Sequence, residues 1–345
     1  MSQSAQAAVE LSPRFTFGRA AGLIFALACL VSVSFAVSAR FGEQSISLST
    51  ALSDSASTDA AIFWSLRVPR ALLALIVGAA LGASGATLQG LLRNPLADPF
   101  VLGVSGGAAL GATLAIAAGL GATWFFAFAG SVAATALALT GGRVQGRNSP
   151  YASLLPGVIF NAFAAAAITS VKALVMPEKV GEILYWLAGT LGYESGRTLS
   201  LTAALQVVAI GVMWVYAGKL NLLMLGDDDA ASLGVSVSAA RLTILLAASL
   251  SVAGAVALSG LIGFVGLIVP HVLRLCLGPD QRLLIPCSAL GGAAFLVFSD
   301  LLTRMLFTVF HAELPVGVVT GLLGGPFFLV LLHRRRLSAA HLYWS

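Results

Sequence analysis

Charge is the scarcest commodity in this sequence of 345 residues: aspartate, glutamate, lysine and arginine together supply only 10% of it, where a soluble domain carries roughly 25%. With 58% hydrophobic residues, the chain lacks the polar material to cover a water-facing surface, which excludes an ordinary soluble protein. It also lacks the ~10-residue alternating segments of a membrane β-barrel. Cysteine is rare, with Cys29, Cys276 and Cys287 all in or beside apolar runs and without metal-ligand spacing, so they read as small hydrophobic residues. No Gly-x-x-x-x-Gly-Lys-Ser/Thr phosphate loop, no His-Glu-x-x-His and no Ser/His/Asp set is present, so the sequence offers no catalytic residue, no metal site and no resident cofactor. The net charge of +5 comes from bases scattered singly between apolar runs, apart from Arg334-Arg335-Arg336, which argues against nucleic acid.

What is abundant is apolar sequence in lengths that cross a bilayer. Segments near 20–38, 71–91, 99–119, 122–140, 152–175, 199–217, 241–258, 260–275, 283–307 and 315–333 predict an all-α integral membrane protein of about ten transmembrane helices, one polytopic domain over residues 1–345. The fifth and ninth segments look longest, while the eighth is short and broken by glycines and Pro270. Arg14 and Arg19 followed by Ala20 to Val37 imitate a cleavable signal peptide, but the run is long enough to span and reads as a retained helix after a cytoplasmic tail, residues 1–19. An even number of spans returns a second tail, 334–345, to the same side. Twelve bases then lie inside and seven outside, which supports this orientation and leaves Arg67, Arg70 and Arg304 on the outer face against the trend. Glycine and alanine recur at helical spacing and predict closely packed helices.

Four polar stretches stand out. In "RNPLADP", each proline lacks an N–H and pushes its predecessor out of the α region, so Asn94 and Asp98 are placed to cap the next helix; the stretch is a bare turn or an inner-face gate. The inner loop 220–240 contains "GDDDAASLG", where three acids suit a helix N-terminus and Gly234 a C-terminal stop, predicting a short cytoplasmic helix that is either solvated or a docking surface. His271 follows Pro270 in the broken eighth segment, as a proton relay or an architectural residue. Asp300 and Arg304, four residues apart, are spaced to pair on one helix face, and His311 and Glu313 fall in the outer turn beyond them.

Taken together, "RVPRALLALIVGAALGASGATLQGLLRNPLADPFVLGVSGGAALGA", "GFVGLIVPHVLRL" and "ELPVGVVTGLLGGPFF" closely resemble the FecCD-type permeases of bacterial ABC importers for iron chelates, haem and vitamin B12. The resemblance implies a type II ABC importer permease fold in the inner membrane, surrounded by lipid. It also implies a homodimer with the pathway along its interface, two cytoplasmic ATP-binding subunits and a periplasmic substrate-binding protein. The family's outer docking arginines match Arg67, Arg70 and Arg304, and its cytoplasmic gate matches Asn94 and Leu96. Its ATPase-coupling helix matches Gly226, Asp227, Asp228, Asp229, Ala230, Ala231, Ser232, Leu233 and Gly234. A second gate position falls near Pro150 and Tyr151, where this chain departs from the small hydroxylated residues of the B12 permease. The Pro270-His271 pair belongs to the family pattern and reads as architectural.

The implied cargo is an iron-containing chelate. Haem is preferred over ferric siderophores and vitamin B12, because Met176, Tyr193, Met305 and His311 supply soft or aromatic neighbours to an apolar pathway. An ion-coupled secondary transporter is the alternative class; it wants a chain of buried ionisable groups, for which only Asp300 and His271 are candidates. A membrane enzyme is the remaining one, and the missing catalytic set weighs against it.

Overall fold

Apolar runs this long can satisfy their backbone in lipid only by coiling, and the chain does so throughout: in a computed structural model describing residues 17–42, 44–144, 154–192 and 194–337, every regular element is a helix. In chain order these are α1 (Phe17–Arg40), α2 (Leu48–Ser53), α3 (Thr58–Ile62), α4 (Val68–Leu91), α5 (Val104–Ala117), α6 (Thr123–Val144), α7 (Leu154–Leu174) and α8 (Pro177–Leu187). They are followed by α9 (Gly196–Val215), α10 (Ala217–Leu225), α11 (Asp227–Ser232), α12 (Val237–Ser259), α13 (Val265–Leu277), α14 (Gln281–Phe310) and α15 (Val316–Leu337). Seven of the described helices are long and apolar enough to span a membrane, and α5, α13 and α15 add three shorter apolar ones, which makes the ten segments of the sequence pattern.

Their lengths differ from the sequence expectation. The second segment is the longest, because α3 runs through a π-helical turn at Phe63–Arg67 into α4 and makes one helix of 34 residues. The fifth, α7, has 21 residues and is not among the longest, whereas α14 has 30. The third is not continuous over 99–119. Asp98 caps a 3-10 turn at Pro99–Leu102, Gly103 takes φ 83°, and α5 starts only at Val104. The loop between the fifth and sixth segments holds α8, opened by Pro177 at a favoured early helical position with Glu178 in its first turn.

The bundle is built around α4, which packs most extensively on α14 and also meets α12, α13 and α9. Its glycines decide how close these neighbours come. A Cβ on Gly78 or Gly82 would overlap the backbone of α14 at Gly292 or Ser288, and one on Gly85 would overlap Gly266 at the start of α13. Where lipid is as apolar as leucine, such backbone approach and the dispersion contacts it permits hold helices together. α13 is reached through a non-helical segment in which Gly260 and Phe264 both have positive φ, 65° and 69°. The eighth segment is therefore interrupted at its glycines, as its composition predicts, but not at Pro270, through which α13 continues without a break. By contrast α1 lies at the rim: it packs on α14 along one side, with Leu23, Ile24 and Leu27 half-buried against the core, and few of its residues are fully buried.

Candidate functional site

At the end of the bundle where α4 begins, three arginines converge. Because the helix is already wound through Phe63–Arg67, Pro69 lies inside it, and Arg67 and Arg70 are both directed to the same region. Arg67 donates from Nη1 to the carbonyls of Ala39 (3.3 Å) and Arg40 (2.6 Å) and from Nη2 to that of Gln44. Arg304, near the end of α14, donates from Nη1 to the carbonyls of Ser38 (3.1 Å) and Phe41 (3.3 Å) and from Nη2 to the Ser38 hydroxyl (2.5 Å). The last turn of α1 and the residues just after it therefore form a ring of carbonyls around two guanidinium groups. Gly42 sits between them, where a Cβ would come within 3.3 Å of Arg67 Cζ and 3.4 Å of Arg304 Nη1.

Asp300, with no solvent exposure, joins the arginines. Its Oδ1 accepts from Arg70 Nε at 2.8 Å and its Oδ2 pairs with Arg304 Nε at 3.1 Å, the i,i+4 pairing foreseen from sequence. Arg70 Nη1 also reaches Glu313 at 2.5 Å. A cavity of about 420 Å³ opens at this cluster, and Arg67, Arg70, Arg304, Glu313, Tyr185 and Thr190 are among its lining residues. Arg67 and Arg304 are not side chains standing off the surface; they are 6% and 5% exposed and held to backbone carbonyls, whereas the Arg70 side chain is 21% exposed. Burying a guanidinium requires such partners, and the carbonyl ring supplies them.

At the opposite end, α4 closes at Leu91 and the chain turns sharply at Arg93, which takes φ 47°. Asn94 then donates its N–H to the Gln89 carbonyl (3.0 Å) and accepts the Leu96 N–H on Oδ1 (2.9 Å), a local turn that presents both Asn94 and Leu96 to solvent. Asp98 Oδ1 accepts the Phe100 N–H at 2.8 Å; burial pushes its carboxyl above the ordinary range, and that bond only partly opposes the shift. The buried Gln89 side chain ties this end of α4 to the broken segment. Its Nε2 donates to the carbonyls of Gly266 (3.2 Å) and Leu267 (3.3 Å), and its Oε1 accepts from Arg274 Nη2 at 3.0 Å. His271 is buried on the same helix, α13.

Beside the turn lies α11, and its boundaries follow its sequence. Gly226 separates it from α10, and the three aspartates occupy its first turn. It closes with Gly234 at φ 83°: the Val235 N–H donates to the Ala230 carbonyl and the Gly234 N–H to that of Ala231, both at 3.0 Å, the paired bonds of a Schellman stop. Ala230 faces inward and is buried, whereas Asp228, Asp229, Ala231, Ser232 and Leu233 are exposed. Asp227 differs from its two neighbours. Arg93 Nη2 reaches its Oδ1 at 2.7 Å, and Arg241 Nη2 reaches both oxygens at 2.8 Å. Partial burial raises the Asp227 carboxyl, but the hydrogen bonds and charges of the two arginines prevail and hold it below the usual carboxylate range.

Pro150, Tyr151 and Tyr193 lie outside the described residues, as do 1–16 and 338–345 of the two tails. Met176 precedes α8, Met305 is exposed on α14, and His311 ends α14 at φ 52°. None of these three lines the cavity, and among the described residues no group of three or more His, Cys, Asp or Glu side chains is placed to hold a metal ion. Sequence spacing missed the links from Arg70 to Asp300 and from Asp227 to Arg93, which join residues 230 and 134 positions apart.

A bundle of ten apolar helices, with a polar turn and a short exposed helix at one end and clustered arginines at the other, has counterparts among known proteins. The model of the FecCD transport family matches residues 29–334. This chain belongs to the FecCD transport family. It is a multi-pass permease subunit of an ABC transporter in the inner membrane. The hemin transport system permease protein HmuU of Yersinia pestis is 40% identical over 337 residues, covering 95% of this FecCD chain and 98% of that one. The cobalamin import system permease protein BtuC of Halobacterium salinarum is 42% identical over 283 residues, 81% of this chain and 75% of its own. A solved inward-facing conformation of a putative metal-chelate type ABC transporter superposes with a TM-score of 0.79 at 32% identity, covering 91% of this chain and 99% of that one.

Proposed function

We propose that the protein is the permease of an ATP-driven importer that carries an iron-bearing chelate from periplasm to cytoplasm, and that the chelate is haem. The observation that carries this reading is the match to the hemin permease over nearly the full length of both chains. Ferric siderophores are the alternative, with vitamin B12 behind them; relatives named for iron chelatin and Fe(3+)-citrate transport are 39% and 35% identical.

In this reading two copies of the chain pair to enclose the pathway, and the cluster of Arg67, Arg70 and Arg304 faces the periplasm. A substrate-binding protein docks there through acidic groups, which set register and on-rate more than bulk affinity. On the cytoplasmic side the exposed face of α11, within the coupling loop 220–240, engages one of two ATP-binding subunits, and the turn at Asn94 and Leu96 closes the pathway. ATP binding and hydrolysis in the partner stabilise two permease conformations differently, and their alternation moves the cargo. This subunit performs no covalent chemistry.

The deciding experiment reconstitutes the permease with its ATPase and binding protein in proteoliposomes and supplies haem, a ferric siderophore or vitamin B12. Haem uptake that stops when the ATPase phosphate loop is mutated supports the reading. Siderophore uptake without haem uptake replaces the cargo, and uptake by the permease alone overturns the ABC mechanism. Docking is read separately from the salt dependence of binding-protein association, which falls steeply with ionic strength if the arginine cluster steers it.

A further inference from the structure

We propose that Asp227 is a positioning residue that ties the short cytoplasmic helix α11 to the Asn94–Leu96 turn through Arg93, rather than a contact for the ATPase. The inference rests on the coupling and gate assignments above and divides the three aspartates of α11 between two tasks. Asp228 and Asp229 are exposed, as an interface for a soluble partner requires. Asp227 is instead engaged from two sides, by Arg93 at the end of α4 and by Arg241 on α12.

Arg93 is the connecting part. Its Nε and Nη2 donate to the Leu223 carbonyl, at 2.9 and 2.6 Å, and Nη2 also reaches Asp227, so one guanidinium clamps the end of α10 to the start of α11. Its backbone occupies the left-handed region at φ 47°, which a long side chain adopts rarely and here adopts with its head group fixed at both sites. The next peptide belongs to Asn94, whose N–H is already held by Gln89. A displacement of α11 is thus delivered to the turn through one residue. Arg241 fixes the other side, so α11, α12 and the turn meet at a single carboxylate, and α10 joins them through Arg93. Without that carboxylate two cations face each other, and the start of α11 loses its attachment while the Schellman stop at its far end persists.

The test uses the complete transporter, with permease, ATPase and binding protein in proteoliposomes. Asp227→Asn is expected to keep ATPase co-purification within about twofold of wild type while the amount transported per ATP falls roughly tenfold, a loss typical of broken coupling between sites. Asp227→Glu restores most of that ratio. Arg93→Gln combined with Asp227→Asn loses less than the two changes summed, because they share the Arg93–Asp227 link while each also cuts one of its own, to Leu223 and to Arg241. The control pair Asp228→Asn and Asp229→Asn weakens ATPase co-purification, the loss that Asp227→Asn does not show.

A second readout is independent of the ATPase. With Cys29, Cys276 and Cys287 replaced, spin labels at Leu96→Cys and Ser232→Cys report the spacing of turn and helix, and Asp227→Asn is expected to broaden that distance distribution. Loss of ATPase binding in Asp227→Asn, unchanged transport per ATP, or an unchanged label distribution each overturns the tether. If the control pair has no effect on co-purification, the docking assignment for α11 fails by itself, and the spin-label result still decides the role of Asp227.

Discussion

Replacing Asp300 with asparagine changes one oxygen to an amide at a point with no access to solvent, between Arg70 at 2.8 Å and Arg304 at 3.1 Å. Asparagine keeps the volume, so no cavity contributes, and the change isolates the charge. Breaking a buried ion pair from one side costs about 3–5 kcal/mol, because the remaining charge is left uncompensated. Here Arg70 keeps Glu313 and Arg304 keeps the Ser38 carbonyl and hydroxyl, which places the loss near the lower end, about 3 kcal/mol. At about 2 °C per kcal/mol for a chain of this size, that is a fall of about 6 °C in Tm. Fluorescence-detected thermal unfolding of the detergent-purified permease at neutral pH reads it directly. Glu313→Gln, at the exposed end of the same network, should cost no more than about 1 kcal/mol. Joining Asp300→Leu to Arg304→Met should restore part of what Asp300→Leu alone loses, since that pair then leaves no unmatched charge. A Tm for Asp300→Asn within about 1 °C of wild type, or a double variant worse than the single, would refute the assigned energetics.

Gly82→Val places a side chain against the Ser288 carbonyl and should reduce the yield of monodisperse protein severely, whereas Gly22→Val, with nothing within 4 Å of the added Cβ, should leave the size-exclusion profile unchanged. Asp98→Asn keeps the cap on the Phe100 N–H and removes a charge that burial opposes. The raised carboxyl contributes most below the ordinary carboxylate pKa and less as pH rises, so the Asp98→Asn variant should equal or exceed wild-type stability at neutral pH and lose that advantage in acid; Asp98→Ala should cost about 1 kcal/mol. The depressed Asp227 carboxyl behaves oppositely. Its contribution is present above the ordinary value and lost as pH falls through the depressed one, so the unfolding curves of wild type and Asp227→Asn should converge only below about pH 4.

Features governed by neighbours in sequence were legible beforehand. The ten apolar runs became ten apolar helices, Asp300 pairs with Arg304 at the spacing that aligns them, and "GDDDAASLG" folds into a short helix with its stop at Gly234. Interruptions were visible where proline or glycine forced them, as at Asp98-Pro99 and Gly260, although Pro270 did not break α13. What escaped was set by partners distant in the chain. Nothing local says that Arg67 and Arg304 turn away from solvent, because the carbonyls that receive them belong to the last turn of α1 and the residues just after it. The same holds for Asp227, where the aspartate run suggests a uniform acidic face and two distant arginines single out its first member. The continuation of α3 into α4 was hidden because a π turn carries the helix through "FWSLR", which contains no signal for a change of pitch.

The carbonyl ring at the end of α1 divides that helix into two regions with different tolerance to change. Along the side of α1 turned away from α14, where residues such as Phe25, Leu30 and Val33 are exposed, apolar residues are interchangeable as long as the run stays hydrophobic and long enough to cross. At Ser38, Ala39, Arg40, Phe41 and Gln44 the backbone itself is the ligand for Arg67 and Arg304; a proline or an insertion there would shift these oxygens, and a side chain at Gly42 would press on the two guanidinium groups. Saturation mutagenesis should therefore find the outward side of α1 permissive up to its last turn and then abruptly intolerant, at residues whose side chains contribute little to the reason.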